Sequence, residues 1–318
     1  MEKNRQLNSL GSSNDQKVNE IAGKLLGKKG GEGYSSTYDP SLLVRIPRSL
    51  NREQYGIEEK NLPFAGYDVW NGYEVTAMTE FGYPVAAVMK IVIPANSEYH
   101  PESKSIKMYF NSFAMEQKGR SRKECLDWIK ETAKKDLEEL LECEVKIGVF
   151  TDSYQYEKLA KSTFDDPGFF NMEECFDQNE IVVSDYKMNP DLLVEEPFGY
   201  QDDILRFKTD VLRSACRVTH QPDHGSVLIY MNGKHLPTME SLYKFIISFR
   251  NEYHFHEEIC EAIYKTLLDK YNPTSLMVAC NYTRRGGWDI NPVRANRMDL
   301  VPVEYETEKI PLKKTIKQ

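Results

Sequence analysis

The stretch YEVTAMTEFGYPVAAVMKIVIP, Tyr73–Pro94, reads as two strands joined by a tight turn. Its second half is a β-branched, apolar run, and Gly82–Tyr83–Pro84 supplies the turn chemistry of a hairpin. Downstream, Ser121 and Glu124 form a capping box, and Leu126, Ile129, Ala133, Leu137 and Leu141 fall on one helical face. Strand alternation resumes at Val145, Ile147 and Val149. The second half of the chain follows the same order. GSVLIYMNGK, Gly225–Lys234, reads as strand and turn; Ile259, Ile263 and Leu267 make a helical stripe that stops near Asn272–Pro273; and Leu276, Val278 and Cys280 form a strand.

SIKMYFNSF at Ser105–Phe113 can be laid over SLYKFIISF at Ser241–Phe249. Similar residues in a similar order point to a tandem duplication. Each unit would run strand, strand, helix, helix, strand, strand, giving an α+β fold whose antiparallel sheets carry helices on one face. The plainer alternative is one continuous α+β domain with a chance nine-residue match. Four segments are expected: a mobile tail over 1–35, rich in Ser, Gly, Lys and Asn, with a short helix through Ile21, Leu25 and Leu26 conceivable; a first unit over 36–165; an acidic, turn-rich linker over 166–200; and a second unit over 201–318.

At 318 residues, with 40% apolar and 11% aromatic content, the chain can fill a sizeable core. A net charge of −8 offers no basic excess to displace counterions, which opposes direct nucleic-acid binding. No stretch is apolar enough to span a bilayer, and MEKNRQLNSLGSSNDQK lacks the apolar segment of a signal peptide, so a cytoplasmic protein without a membrane partner is expected. The six cysteines contain no CxxC pair, which argues against a disulfide scaffold or a zinc ribbon.

Reactive residue types crowd into SACRVTHQPDHGS, where Cys216, Thr219, His220, Asp223 and His224 precede a strand. Pro222 and Gly225 flank Asp223, so this segment is expected to turn at the mouth of a site. A thiol needs a lowered pKa or a nearby base to become a nucleophile, and a carboxylic acid close by can deliver a proton. Cys216 and Asp223 could fill those roles, although a buried cysteine is more often plain apolar filler. In NEYHFHEE, His254, Phe255, His256, Glu257 and Glu258 open a helix. The ring could stack on a flat heterocycle while imidazole and carboxylate read its N–H edge, or the acids could simply favour the helix dipole. YTRRGGWDINP puts Arg284 and Arg285 beside paired glycines, where guanidinium groups fork onto phosphate, and ESKSIKMYF offers Glu102, Ser103, Lys104 and Lys107. No GxGxxG follows a strand and no GxxxxGK[ST] occurs. HEE is not HExxH, and Cys216 with His220 or His256 is an incomplete zinc set, so no metal is expected.

Together these strings resemble the QueF family, the NADPH-dependent 7-cyano-7-deazaguanine reductases, in its long two-unit form. The resemblance runs from TYDPSLLVRIPRSLNRE (Thr37–Glu53) through NLPFAGYDVW and ESKSIKMYFNSF to CRVTHQPDHGS, SFRNEYHFHEE and YTRRGGWDINP. The family signature is met at Glu102–Tyr109, with Met108 at its aliphatic or aromatic position. The resemblance implies two tandem tunnelling-fold (T-fold) units, a pocket between them and a homodimer. It implies reduction of 7-cyano-7-deazaguanine to 7-aminomethyl-7-deazaguanine with two NADPH, in queuosine biosynthesis for tRNA. Cys216 would be the nucleophile that forms a thioimide, and Asp223 the proton donor. Glu102, Phe255, His256 and Glu257 would contact the heterocycle, with Pro101 and Ser103 beside it. Ser103, Lys104, Arg285 and Gly286 would contact NADPH, with Arg284 as a neighbour. Two positions depart from the family: His224 stands where Trp is common, and Pro101 where an aliphatic residue is usual. The competing readings are a zinc-dependent pterin or purine cyclohydrolase-like enzyme on the same fold and a non-catalytic deazapurine-binding module.

Overall fold

The computed structural model describes Lys17, Glu20, Ile21 and residues 37–166, 168–176, 181–196 and 203–318. The expected tail over 1–35 lies almost entirely outside the described residues, as do Leu25, Leu26 and parts of the expected linker. Ten strands are described: β1 (Arg45–Pro47), β2 (Ala65–Met78), β3 (Pro84–Pro94), β4 (Tyr99–Pro101), β5 (Lys146–Phe150), β6 (Phe170–Asn171), β7 (Asp203–Ala215), β8 (Pro222–Gly233), β9 (Ser275–Tyr282) and β10 (Trp288–Ala295). Four longer helices accompany them: α1 (Ser103–Ser112), α2 (Arg122–Leu141), α3 (Met239–Ile247) and α4 (His256–Tyr271).

β2 and β3 form the expected hairpin, with Met78 opposite Pro84 across the turn. α2 begins after Ser121, whose side chain accepts from the Glu124 amide. The reciprocal half of the capping box goes one residue upstream, because the Glu124 carboxylate accepts from the Arg120 amide. The second half of the chain gives β7, β8, α3, α4, β9 and β10, the order expected of a full unit. The first half stops at β2, β3, α1, α2 and β5, and a short helix, Ser153–Leu159, follows where a sixth strand was expected.

The two halves share one eight-stranded sheet, ordered β5-β3-β2-β10-β9-β8-β7-β6. β2 pairs along its length with β10, from Gly72 opposite Trp288 to Ala65 opposite Ala295. At Gly66 the approach is so close that a Cβ would lie 2.0 Å from the Val293 carbonyl oxygen, so only glycine fits. Both long hairpins carry a register shift, between Gly72 and Val75 and between Thr209 and Leu212. A second correspondence precedes the first long strand of each half. Asp39 caps the turn Pro40–Leu42 and its amide donates to Ser112 Oγ, while Asn189 caps Pro190–Leu192 and its amide donates to Ser248 Oγ. YDPSLLV and MNPDLLV are thus a further internal repeat that the sequence reading passed over.

Apolar side chains pack the four helices onto one face of the sheet in two clusters, around Leu137 and Tyr109 in the first half and Leu267 and Phe249 in the second. The opposite face, with Val69, Leu228 and Val293, is covered by Val301, Tyr305 and Leu312 of the C-terminal segment. Lys90, within the apolar β3, fastens that segment by donating to the carbonyls of Glu304, Thr307 and Ile310.

Between the helices and the centre of the sheet lies a buried ion network. Asp68 on β2 pairs with Arg48 at 2.5 Å and with Arg294 of β10 at 2.8 Å, and Glu261 on α4 pairs with Arg294 and Arg52, each at 2.8 Å. Burial alone would raise the Asp68 carboxyl, but Arg294 and Arg48 overcome it and hold it well below the usual carboxylate range. Its stabilising contribution is therefore present above the ordinary carboxylate pKa and is lost as pH falls through the depressed folded value. Asp68→Asn leaves two guanidinium groups short of a counter-charge and should cost about 3–5 kcal/mol of stability at neutral pH. In urea unfolding curves the gap from wild type should narrow in acid; a gap that persists unchanged at low pH would contradict the assignment.

Candidate active site

The pocket forms where β4 and the start of α1, from the first half, meet the β7–β8 turn, the start of α4 and Arg285 from the second. Pro101, Ser103, Cys216, Asp223, Phe255, His256, Glu257 and Arg285 line it. These eight are among the residues proposed from sequence. Glu102 and Lys104 border the pocket without lining it, and Gly286 adjoins a separate cleft.

Cys216 follows the last residue of β7. A tight turn holds it: the Cys216 amide donates to Gln221 O at 2.8 Å, and the His220 amide donates back to Cys216 O at 2.9 Å. His220 closes the turn in the left-handed region, at φ 57°. The turn spans only this segment, for Asp223 lies inside β8, opposite Ser214 of β7. That corrects the expectation that Asp223 sits on a turn. Strand alternation then sends Asp223 inward and His224 out to solvent, so the departure at His224 does not touch the pocket.

Lys104 Nζ lies 3.1 Å from Cys216 Sγ and 3.6 Å from Glu102 Oε1. Burial by itself would raise the thiol's pKa, but the Lys104 ammonium and the polar groups of nearby Thr219 outweigh it, leaving the thiol below its ordinary value. Glu102 accepts from the Ser105 amide at 2.8 Å as the N-cap of α1, so its carboxylate anchors the helix that delivers Lys104.

Asp223 is 3.4 Å from His256 Nε2 and 3.1 Å from Arg285 Nη1. Burial pushes its carboxyl up, and His256, Arg285 and Lys104 together bring it below the usual range, so it is ionised at neutral pH. The His256 ring lies flat on Tyr282, centroids 3.9 Å apart. Glu257 behaves oppositely: burial and the Asp68 charge push its carboxyl up to about 8, so it holds a proton at neutral pH.

Trp70 and His100, which carry no role in the sequence analysis, also line the pocket, as does His254 of the NEYHFHEE cluster. His254 is half-buried; desolvation pushes its pKa down, but Glu258 and Glu252 outweigh it, raise the pKa to about 9 and make the ring a fixed cation. Glu258 also accepts from Arg217 at 3.1 Å and from Gln54, tying the segment after β1 to the turn that holds Cys216. The position of His100 two residues before Glu102 was the available signal. Beyond Arg285, Gly286 and Gly287 adopt positive φ, and a Cβ at Gly286 would strike Lys107 and one at Gly287 would strike Glu74. Arg284 lies over the Tyr73 ring, directed away from the pocket. Among the described residues no group of three or more His, Cys, Asp or Glu is placed to hold a metal ion, and no helix is long and apolar enough to cross a membrane.

Two outcomes follow. Lys104→Met should slow alkylation of Cys216 by iodoacetamide at neutral pH and move the pH midpoint of that reaction upward; an unchanged midpoint would separate the lysine from the thiolate. Glu257, raised in the fold, stabilises fully below its unfolded value and loses that contribution as pH rises through about 8. Thermal unfolding should therefore show Glu257→Gln gaining stability relative to wild type above pH 8, with no such gain in acid.

Two family models match the chain. One, described as the N-terminal part of the nitrile reductase 7-cyano-7-deazaguanine-reductase, matches residues 34–149, and the other, described as QueF-like protein, matches residues 222–299. Among solved structures, the crystal structure of the archaeosine synthase QueF-Like in the apo form is 20% identical, with a TM-score of 0.28, covering 30% of this chain and 95% of that one. The two matched segments make up more than half of the sequence and bracket the pocket that both halves build, so the chain belongs to the QueF family, in its long two-unit form.

Proposed function

We propose that this chain reduces 7-cyano-7-deazaguanine to 7-aminomethyl-7-deazaguanine with NADPH, through a thioimide on Cys216, in queuosine biosynthesis. The observation that carries this is the Cys216 sulfur held 3.1 Å from the Lys104 ammonium in a pocket that also presents Asp223, His256 and Glu257. A nitrile is a poor hydride acceptor until a nucleophile adds to it. The Cys216 thiolate forms a C–S bond to the nitrile carbon, one π bond breaks, and the nitrogen takes a proton. The Asp223–His256 pair is the proton route, since Asp223 is held ionised at neutral pH and lies 3.4 Å from His256 Nε2. Phe255 offers a ring to the heterocycle, and Glu257 and Glu102 are its carboxylate contacts, with Pro101 and Ser103 at its side.

The cleft at Gly286 fits a phosphorylated cofactor. The backbone at Gly286 and Gly287 runs close against Lys107 and Glu74, and Lys107, which lines the cleft with Glu74, Phe110, Asn111 and Trp288, supplies positive charge for a phosphate. Arg285, Gly286 and Ser103 would hold NADPH there, with Lys104 shared between cofactor and thiolate. When bound, NADPH supplies the hydride, and two are needed to reach the amine. We read the chain further as two tandem tunnelling-fold units, 36–165 and 201–318, joined by 166–200 and acting as a cytoplasmic homodimer. The repeated turns capped by Asp39 and Asn189 and the matched hairpin shifts support the duplication.

Intact-mass spectrometry should show a covalent adduct with the nitrile in the absence of cofactor, and NADPH absorbance should fall when both are present. Cys216→Ala should lack the adduct and lose turnover by roughly a thousandfold or more; Asp223→Ala should form it slowly. Normal adduct formation in Cys216→Ala would remove the nucleophile. Stoichiometric zinc lost in that variant would support the cyclohydrolase-like reading instead, and binding of the nitrile without NADPH consumption would support the binding module.

A further inference from the structure

We infer that His100 is a specificity-determining residue of this pocket, which reads the polar edge of the heterocycle alongside Glu257. The inference rests on the reading of the site given above and adds a contact to it. His100 sits on β4 opposite Ile46 of β1, is 2% exposed, and lines the pocket. Both of its ring nitrogens are buried and have no hydrogen-bond partner among the described residues. A buried imidazole in that condition is rare, because a lost hydrogen bond to water is normally replaced by one within the protein.

The groups around it explain why nothing inside the fold fills the gap. The ring stands edge-on to Phe255, centroids 5.2 Å apart. Glu257 Oε1, also buried and unpartnered, is 3.8 Å from His100 Nδ1, beyond a hydrogen bond. Trp70 Nε1, on the same pocket, is unpartnered as well. Burial, reinforced by the neighbouring Arg48 guanidinium, pushes the His100 pKa down to about 3, so the ring is neutral and offers one N–H and one bare nitrogen. A donor, an acceptor and a protonated carboxyl thus converge on the pocket with no partners. They complement a flat ligand whose edge alternates N–H and C=O groups, as the aminopyrimidinone edge of a guanine-like heterocycle does. A merely structural histidine would have spent at least one nitrogen on the fold.

The test compares wild type, His100→Leu and His100→Gln with two nitriles, 7-cyano-7-deazaguanine and its analogue lacking the 2-amino group. Calorimetric affinity is measured in a Cys216→Ala background to keep binding non-covalent, KM and kcat in the otherwise native enzyme, and thermal stability in all. His100→Leu should weaken binding of the guanine-like nitrile by about 10- to 100-fold, with the loss falling on KM, and should reduce discrimination between the two nitriles. Its unfolding temperature should stay level or rise, because leucine fills the space without an unpaired polar atom. His100→Gln, with a donor and an acceptor restored, should recover part of the affinity. Unchanged affinity in His100→Leu, or a fall in unfolding temperature with equal loss for both nitriles, would overturn the assignment to His100. Failure of wild type to bind either nitrile would overturn the reading of the whole site, which is a separate result.

Discussion

The Asp68–Arg294–Glu261 network is where the two halves of the chain become one structure. Asp68 belongs to the first hairpin, Arg294 to the last strand and Glu261 to the helix whose first turn carries His256 and Glu257. Each charge is buried deeply enough that an unpaired member would be prohibitively costly, so the three elements can meet in few other arrangements. The β2–β10 pairing that joins the halves into a single sheet runs directly over this network. The start of α4 is thereby fixed in relation to β4, and the pocket is the space left between them.

The same electrostatics sets the protonation pattern of the pocket. The Asp68 charge adds to burial in keeping Glu257 protonated, while Arg285 and His256 keep Asp223 ionised. Two carboxyls of one site are thus driven to opposite states by neighbours from different elements, an arrangement common where one group must give a proton and another hold charge. Cys216 completes the pattern as an anion-leaning sulfur facing an ammonium that arrives on α1. Glu102, expected to meet a ligand, here caps the helix that carries that ammonium, so one carboxylate both builds the helix start and borders the site.

Much of this was legible in the sequence. Periodicity gave the β2–β3 hairpin, α2 and α4, because amphipathic spacing is a local property of residues that face one core. The strings around Glu102, Cys216, His256 and Arg285 marked the site, because reactive residue types crowd together there. Other features were hidden. β7 alternates Leu205, Phe207 and Thr209 with Arg206, Lys208 and Asp210 only as far as the register shift between Thr209 and Leu212, which breaks the period, and Lys90 sits inside a run read as a buried strand with no partner for its charge in view. The short repeat around Asp39 and Asn189 was missed because its turns carry no long hydrophobic period.

By itself, then, the sequence determined the local elements, their order in two similar halves, and the side chains that are candidates for chemistry, since each depends on residues near one another in the chain. Only the tertiary structure decided that both halves share one sheet, that Lys104 comes to Cys216 from 112 residues away, and that His100 faces the pocket unpaired. Those outcomes depend on which buried charges and backbone edges find partners across the fold, and no local pattern encodes that choice.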